Sequence, residues 1–471
     1  MGTISSAYSL ITQALNADQS ALSVVANNVA NASTTGYTKE TSTFTENDSI
    51  VIDGVTYGQG VSNSGSTSVR DLVLTKRLDQ QQQLASASSA RLTALDSVQS
   101  LFTVASSTDS TSTAGNIGTD LTSFFSSFSS LEATPTSNSL RQDVLSKASK
   151  LAGDISGAAS SLNSQKASLD QSVSTVTSQI NALTTSIAQL NQQIQTTSPN
   201  SDAGTLEDQR QTEITALSKL VGVNQVSTEN NGVTITTTDG QALVLGNSSY
   251  QITNGTVDGV THLFVGTADI TSGLTTGGGE LGGDLTARDQ DIPSVQASLD
   301  QLAYSVSTQV NTLNNAGTDM DGDTSNAGNI FSATTEVSGS AASMSVVMTD
   351  PNHIAAAASG SGTGNDTNAI AMADLGSSKF VDGQTPINYY SNMVSTLGST
   401  VSEVETENTA QNASVTQLQT QSDSLSSVSL DDEASAMQQL ERSYQAASKV
   451  FSVLNTIMAS ALNLGEQTTV S

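Results

Sequence analysis

The sequence contains no cysteine and no tryptophan. Without cysteine there is no disulfide framework and no thiolate-ligated metal site. Such a chain suits an oxidising exterior reached without a disulfide-forming apparatus. Aromatic residues make up 4% of the chain and hydrophobic residues 36%, whereas soluble domains carry about 45–50% apolar residues. Serine and threonine fill the difference, with 76 and 61 copies. A chain this polar builds thin cores, which favours slender helical packing over a thick enzyme core. Positive charge is also scarce: 15 Lys and Arg against 44 Asp and Glu, a formal net charge of −29. Nucleic acid requires a basic footprint and anionic membrane surfaces attract basic segments, so neither is expected as a partner. No run approaches the roughly 18 consecutive apolar residues of a membrane span. The first basic residue is Lys39, so the charged start of a cleaved secretory signal is missing. The expectation is a cytosolic chain, or one that leaves by a route reading no cleaved signal.

The strongest positive signal is heptad spacing. Ile4, Tyr8, Ile11, Leu15, Asp18, Leu22, Val25 and Val29 alternate in steps of four and three, with Ala7, Ala14 and Ala21 beside them. This is the seam of a paired helix, interrupted once by the charge of Asp18. Met437, Leu440, Tyr444, Ala447, Phe451, Leu454, Met458 and Ala461 repeat the pattern near the other end. Ser429 with Asp432 predicts a cap, and Asp431, Asp432 and Glu433 place negative charge where the helix dipole favours it. The longest seam runs from Leu145 to Ile194 and stops at Pro199. Gly153 and Gly157 weaken its first part and leave a break there open. A weaker seam links Leu397, Val401, Val404, Val415, Leu418 and Leu425. Shorter helices are expected at 70–102, 117–132, 205–221 and 292–316. Alternation at 233–236, the turn Asp239-Gly240 and Leu243–Leu245 predict a hairpin. Residues 250–253 and 262–265 are expected to extend that sheet. Residues 343–349 read as a further short strand, and 106–116 and 360–367 as loop or linker.

Motifs for chemistry are weak. Gly277, Gly279 and Gly282 satisfy a dinucleotide-type glycine pattern, but no buried strand precedes it and Asp284 follows. A plain turn into a helix is the expectation. Asp319, Asp321 and Asp323 resemble the start of a calcium loop, yet Thr324 and Ile330 stand where that loop needs Gly and Glu. A solvated acidic loop is expected, with no metal and no cofactor. His262 and His353 lie far apart in sequence, and no metalloprotease or P-loop motif occurs. No enzymatic function is expected.

The seams at the two ends have a narrow apolar stripe, as coiled-coil partners do. Ordering a long helix against one neighbour through such a stripe is marginal, because conformational entropy opposes it at every residue. Several neighbours around each helix would tip the balance. The ends are therefore expected to become helical on assembly.

Residues 27–40, Asn-Asn-Val-Ala-Asn-Ala-Ser-Thr-Thr-Gly-Tyr-Thr-Lys-Glu, resemble the Asn-rich motif that follows the first helix of bacterial flagellar rod, hook and hook-associated proteins. Residues 429–464 resemble the last helix of that superfamily. The interior is similar to the hook-associated protein 1 family. The matching stretches are Phe124–Arg141, Leu206–Arg210 with Leu217–Leu220, Gly278–Asp289, Asn311–Phe331, and Asp350-Pro351 with Ile354.

That resemblance implies a mainly α, elongated, multi-domain axial protein. An inner coiled-coil domain would join 1–45 to 429–471. A middle helical domain would comprise 46–332 with 386–428, including β-hairpins near 223–265. Residues 333–385 would form a small, reduced outer segment. Packing and subunit assembly are assigned to Ile4, Ile11, Leu15, Leu22 and Val25 facing Leu440, Tyr444, Phe451, Leu454 and Met458. The axial-family motif is Asn27, Asn28, Asn31, Gly36 and Tyr37. The implied function is structural: a ring joining hook to filament, exported without a cleaved signal by the flagellar type III apparatus. The implied partners are further copies of the chain, hook protein, a second junction protein next to the filament, and a cytoplasmic export chaperone on the last helix. The alternatives are another axial subunit, of hook or filament, and a secreted acidic calcium-binding or adhesive protein.

Overall fold

The computed structural model describes residues 2–34, 36–52, 55–102, 117–198, 202–257, 259–322 and 327–466, with the side chains of 2–5, 52 and 462–466 excepted. The expected loop at 106–116, Pro199 and Asp323 lie outside the described residues.

The chain begins with helix α1 (Gly2–Asn31). An antiparallel ribbon follows, β1 (Glu40–Glu46) against β4 (Val61–Ser68), with the hairpin β2 (Ile50–Ile52) and β3 (Val55–Tyr57) between them in sequence. Four helices come next: α2 (Leu72–Ser100), α3 (Ile117–Glu132), α4 (Asn138–Thr197) and α5 (Thr205–Leu220). One antiparallel sheet holds β5 (Val223–Ser227), β6 (Val233–Thr237), β7 (Ala242–Leu245) and β8 (Ser248–Ser249). A second holds β9 (Ile252–Val257), β10 (Val260–Val265) and β11 (Ala268–Asp269). The remaining helices are α6 (Thr271–Gly277), α7 (Gly279–Thr286), α8 (Ile292–Ala316), α9 (Ser340–Ser343), α10 (Thr367–Asp374), α11 (Pro386–Ser426) and α12 (Leu430–Glu466).

Helix α4 is the longest element among the described residues. Its 60 residues span about 90 Å at 1.5 Å per residue. Ser137 caps it, its hydroxyl accepting from the Leu140 amide. Gly153 and Gly157 do not break it. The flanking Leu151, Ala152, Ile155 and Ala159 are buried, and that packing outweighs a helix-propensity loss of about 1 kcal/mol per glycine.

Two hydrophobic cores are strung along this helix. The first gathers α3, the early part of α4, α8 and α11 around Phe124, whose ring lies 5.2–5.4 Å from those of Phe125, Phe128 and Phe331. Phe102 and Tyr390 are buried in the same core. The second core joins Val173, Val176, Ile180 and Ile187 of α4 to Ile214 and Leu217 of α5, and to the two sheets and α6–α7. Among the described residues, neither core contains one from α1 or α12.

Asparagines on helices stitch irregular backbone to this frame. Asn181 exchanges hydrogen bonds with the N–H and C=O of Ile252, each 2.8 Å. Asn191 does so with Val233, at 3.2 and 2.7 Å, and Asn311 with Phe331, at 3.0 and 2.9 Å. A carboxamide offers one donor face and one acceptor face, so it replaces the missing strand neighbour of a buried peptide.

Several expectations change. Residues 40–68 form strands that the sequence reading does not predict, because short Ser/Thr-rich segments carry little periodic signal. Residues 250–253 and 262–265 do not extend the first hairpin but belong to a separate sheet. Residues 343–349 make no strand, only an isolated bridge between Phe331 and Val346. The stretch 360–367 is a set of turns, with Asn365 Oδ1 accepting from the amides of Ala358 and Thr367. Within 333–385, Ala341, Met344, Met348, Ile354, Met372 and Val381 belong to the first core. The glycines at 277–283 are explained by close approach. A Cβ on Gly279, where φ is +75°, would fall 2.4 Å from the Val221 nitrogen, and one on Gly283 would fall 2.3 Å from the Ala87 oxygen.

Candidate assembly interface

Helices α1 and α12 lie side by side and antiparallel. Asn28 meets Glu433 at one end of the pair, and the Tyr8 and Phe451 rings meet further along with centroids 4.9 Å apart. Of the seam residues, Ile11 and Val25 are buried. Leu15, Leu22, Leu440, Phe451 and Leu454 are half-buried, and Tyr444 and Met458 remain exposed. The side chain of Ile4 lies outside the described residues. On α1 the small residues Ala17 and Ala21 are more deeply covered than Leu22. Among the described residues of α12 only Glu433 is buried. A second apolar row on α12, Val450, Val453 and Ile457, faces solvent, with Val453 58% exposed. Leu10 and Val29 on α1, and Phe44, Val51, Val55 and Tyr57 on the ribbon and hairpin, are exposed as well. Large apolar residues in water at this density mark a contact surface.

The Asn-rich motif sits where this pair joins the rest of the molecule. Asn28 is 1% exposed. Its Oδ1 accepts from the Glu40 amide at 3.0 Å and from the Tyr37 hydroxyl at 2.8 Å. Its Nδ2 donates to the Glu40 carbonyl at 2.8 Å and to Glu433 Oε2 at 3.2 Å. All four hydrogen-bonding positions of the amide are used. Asn31 donates to both the carbonyl and the side-chain oxygen of Asn27, at 3.0 and 2.9 Å, and Asn27 donates weakly to the Tyr37 hydroxyl at 3.4 Å. Gly36 turns the chain at φ +81°, and a Cβ there would lie 2.5 Å from Thr212 Oγ1 on α5. Burial, followed by the charges of Glu40, Asp208 and Glu433, pushes the Tyr37 phenol up to about 12. It therefore stays protonated and remains a donor.

Two charged links flank the motif. Lys39 Nζ lies 2.9 Å from Glu433 Oε1, and the Lys39 amide donates to the Ser426 carbonyl at 3.0 Å. The Thr38 amide donates to Asp208 on α5 at 3.0 Å, and Arg70 pairs with the same carboxylate. Sequence reading assigns Glu433 only a helix-dipole role. Its tertiary partners lie about 400 positions away, and no local pattern signals them.

The acidic loop places Asp319, Asp321 and His353 with potential ligand atoms within 4.8 Å of one another. Asp319 is buried within reach of the Arg141 charge, while Asp321 and His353 are exposed. A guanidinium already supplies the positive charge a metal would bring.

Residues 107–331 match the family described as the flagellar hook-associated protein FlgK helical domain, and residues 12–38 match the flagella basal body rod protein family. The chain is 26% identical to flagellar hook-associated protein 1 of Escherichia coli (strain K12), over 96% of this chain and 98% of that protein. It is 28% identical to flagellar hook-associated protein 1 of Salmonella typhimurium, over 50% of this chain and 42% of that protein. The fold is similar to that of the flagellar hook junction protein FlgK from Burkholderia pseudomallei, with TM-score 0.65 and 19% identity, covering 75% of this chain and 100% of that one. The rod-type match covers the α1 seam from Leu15 onward and the Asn motif through Tyr37, and the helical-domain match covers all of the second core and part of the first. Across nearly its whole length the chain is thus similar to flagellar hook-associated protein 1, a structural axial protein of the bacterial flagellum.

Proposed function

We propose that this protein joins hook to filament as a ring of identical subunits, with the α1–α12 pairs forming the inner layer. The observation that carries this reading is the distribution of unsatisfied apolar surface. Within the two cores large apolar residues are covered, whereas α1, α12 and the ribbon β1–β4 leave theirs in water. In a ring, each exposed row on α12 has a neighbouring copy to cover it, and a head-to-tail contact repeated around an axis gives a helical arrangement. The inner part corresponds to residues 1–45 with 429–471, and the remainder is the body that neighbours contact from outside. Ile11, Leu15, Leu22 and Val25, with Leu440, Tyr444, Phe451, Leu454 and Met458, are the residues assigned to that inner packing. Hook protein on one side and a second junction protein on the other complete the ring's neighbours. Before export by the flagellar type III route, a cytoplasmic chaperone covers the last helix.

Immunogold labelling of intact flagella tests the position. Label confined to the point where hook meets filament supports the junction. Label along the hook or the filament, or purified protein that grows alone into long tubes, favours another axial subunit instead.

A further inference from the structure

We propose that Glu433, clamped between Lys39 and Asn28, is the positioning residue that nucleates and registers the pairing of α1 with α12. Pairing then spreads from the body outward to the two chain ends. The proposal concerns the isolated chain and does not depend on where in the flagellum the protein sits.

The argument begins with nucleation. The first turn of a helix fixes several residues for one hydrogen bond, so starting a helix is unfavourable and extending it is not. Two helices whose seams are only half-covered need a fixed starting point, or they slip by a heptad at little loss. The cluster at Glu433 supplies that point. It holds the last turn of α1, through Asn28, and the first turn of α12, through Glu433, at one separation. Three further contacts tie it to the body. Gly36 lies against Thr212, Thr38 is bonded to Asp208, and Lys39 is bonded through its amide to the end of α11. Ser429 prepares the first turn of α12, its hydroxyl accepting from the Asp432 amide at 3.4 Å and its carbonyl from the Glu433 amide at 3.0 Å.

The cluster is also specific. Glu433 is among the most buried charged side chains of the molecule, at 3% side-chain exposure, and its two oxygens are divided between two partners. After a slip of α12 by one heptad, Leu440 would stand where Glu433 does, and a leucine side chain accepts no hydrogen bond. One N–H of the buried Asn28 amide would then lack an acceptor, and the partly exposed Lys39 ammonium would lose its counter-charge, both of which are unfavourable. Apolar seams attract in several registers, whereas this cluster fits one, as a buried polar residue does in a coiled coil.

Hydrogen exchange on the full-length chain tests this, with Glu433→Ala and Glu433→Gln as variants. In the native chain, protection is expected to be highest at 25–31 and 433–437 and to fall toward both ends. Glu433→Ala is expected to lower protection across 25–31, on the other helix, by about ten- to a hundred-fold, the factor for removing a buried charge-assisted hydrogen bond. Glu433→Gln keeps an acceptor for Asn28 and is expected to lose less. Amides of 144–162 in the first core report that the body is intact and should not change. Unchanged protection at 25–31 in Glu433→Ala would overturn the proposal, as would equal losses in the two variants. So would a native chain with no protection at 25–31.

Discussion

Helices α4 and α12 carry the same kind of heptad seam, yet they live in opposite surroundings. Along α4, Ile155, Leu162, Val173, Ile180, Ile187 and Ile194 are fully buried, because α3, α5, α7, α8 and the sheets pack around it. Along α12 the neighbour is α1, and Tyr444, Val450, Val453, Ile457 and Met458 stay in water. Periodicity declares which face of a helix is apolar. It does not declare whether the covering partner belongs to the same chain. Under the proposed ring, that difference separates the part of the molecule that folds for itself from the part completed by neighbouring copies.

The largest expected effect comes from removing the uncovered helix outright. Deleting 437–464 should abolish flagellar assembly and motility in a complementation assay while the body keeps its thermal transition, since neither core uses α12. A motile strain carrying only the truncated chain would break the comparison. Truncating the same residue type in the two settings sharpens it. Ile155→Ala, at a fully buried site, should destabilise the isolated chain by about 2–5 kcal/mol in denaturant unfolding. Ile457→Ala, 46% exposed, should change the stability of the isolated chain by about 0.5 kcal/mol or less and show its effect only in assembly.

A smaller effect concerns the body alone. Asp79 on α2 is buried, and it accepts from Gln211 and Thr215 of α5, each at 2.8 Å, with no cation as partner among the described residues. Burial raises its carboxyl from 3.8 to about 6, against the lowering effect of the two hydrogen bonds. The native state thus prefers the protonated form. The stability this group contributes is full below 3.8 and is lost as pH rises through about 6. Asp79→Asn should therefore stabilise the chain at pH 7 by about 1–3 kcal/mol, with the gain shrinking toward pH 4 in parallel urea titrations. A variant that is less stable than the native chain at pH 7, or a gain independent of pH, would contradict this.

Much of this architecture was legible before any coordinates. The seams of α1, α4, α11 and α12, the capping pair Ser429 and Asp432, and the hairpin at Asp239-Gly240 all follow from local chemistry. What escaped was tertiary. The ribbon at 40–68 is built from serine and threonine with isolated apolar residues, so neither period stands out. Asn28, Asn181, Asn191 and Asn311 act on backbone that no spacing connects to them. Arg141 is buried against the carbonyls of Pro135 and Ile354, a role that a lone arginine in a helix does not announce. Of the candidate interface, the two stripes and the Asn motif could be read directly. The acid that joins them, Glu433, could not.

The most direct test of the central claim is hydrogen exchange of the full chain at nanomolar concentration, compared with the same chain assembled in flagella. The account predicts fast exchange across 8–22 and 440–458 in the dilute chain and strong protection of both segments after assembly. Strong protection of both at nanomolar dilution, equal to that of 144–162 in the body, would contradict it.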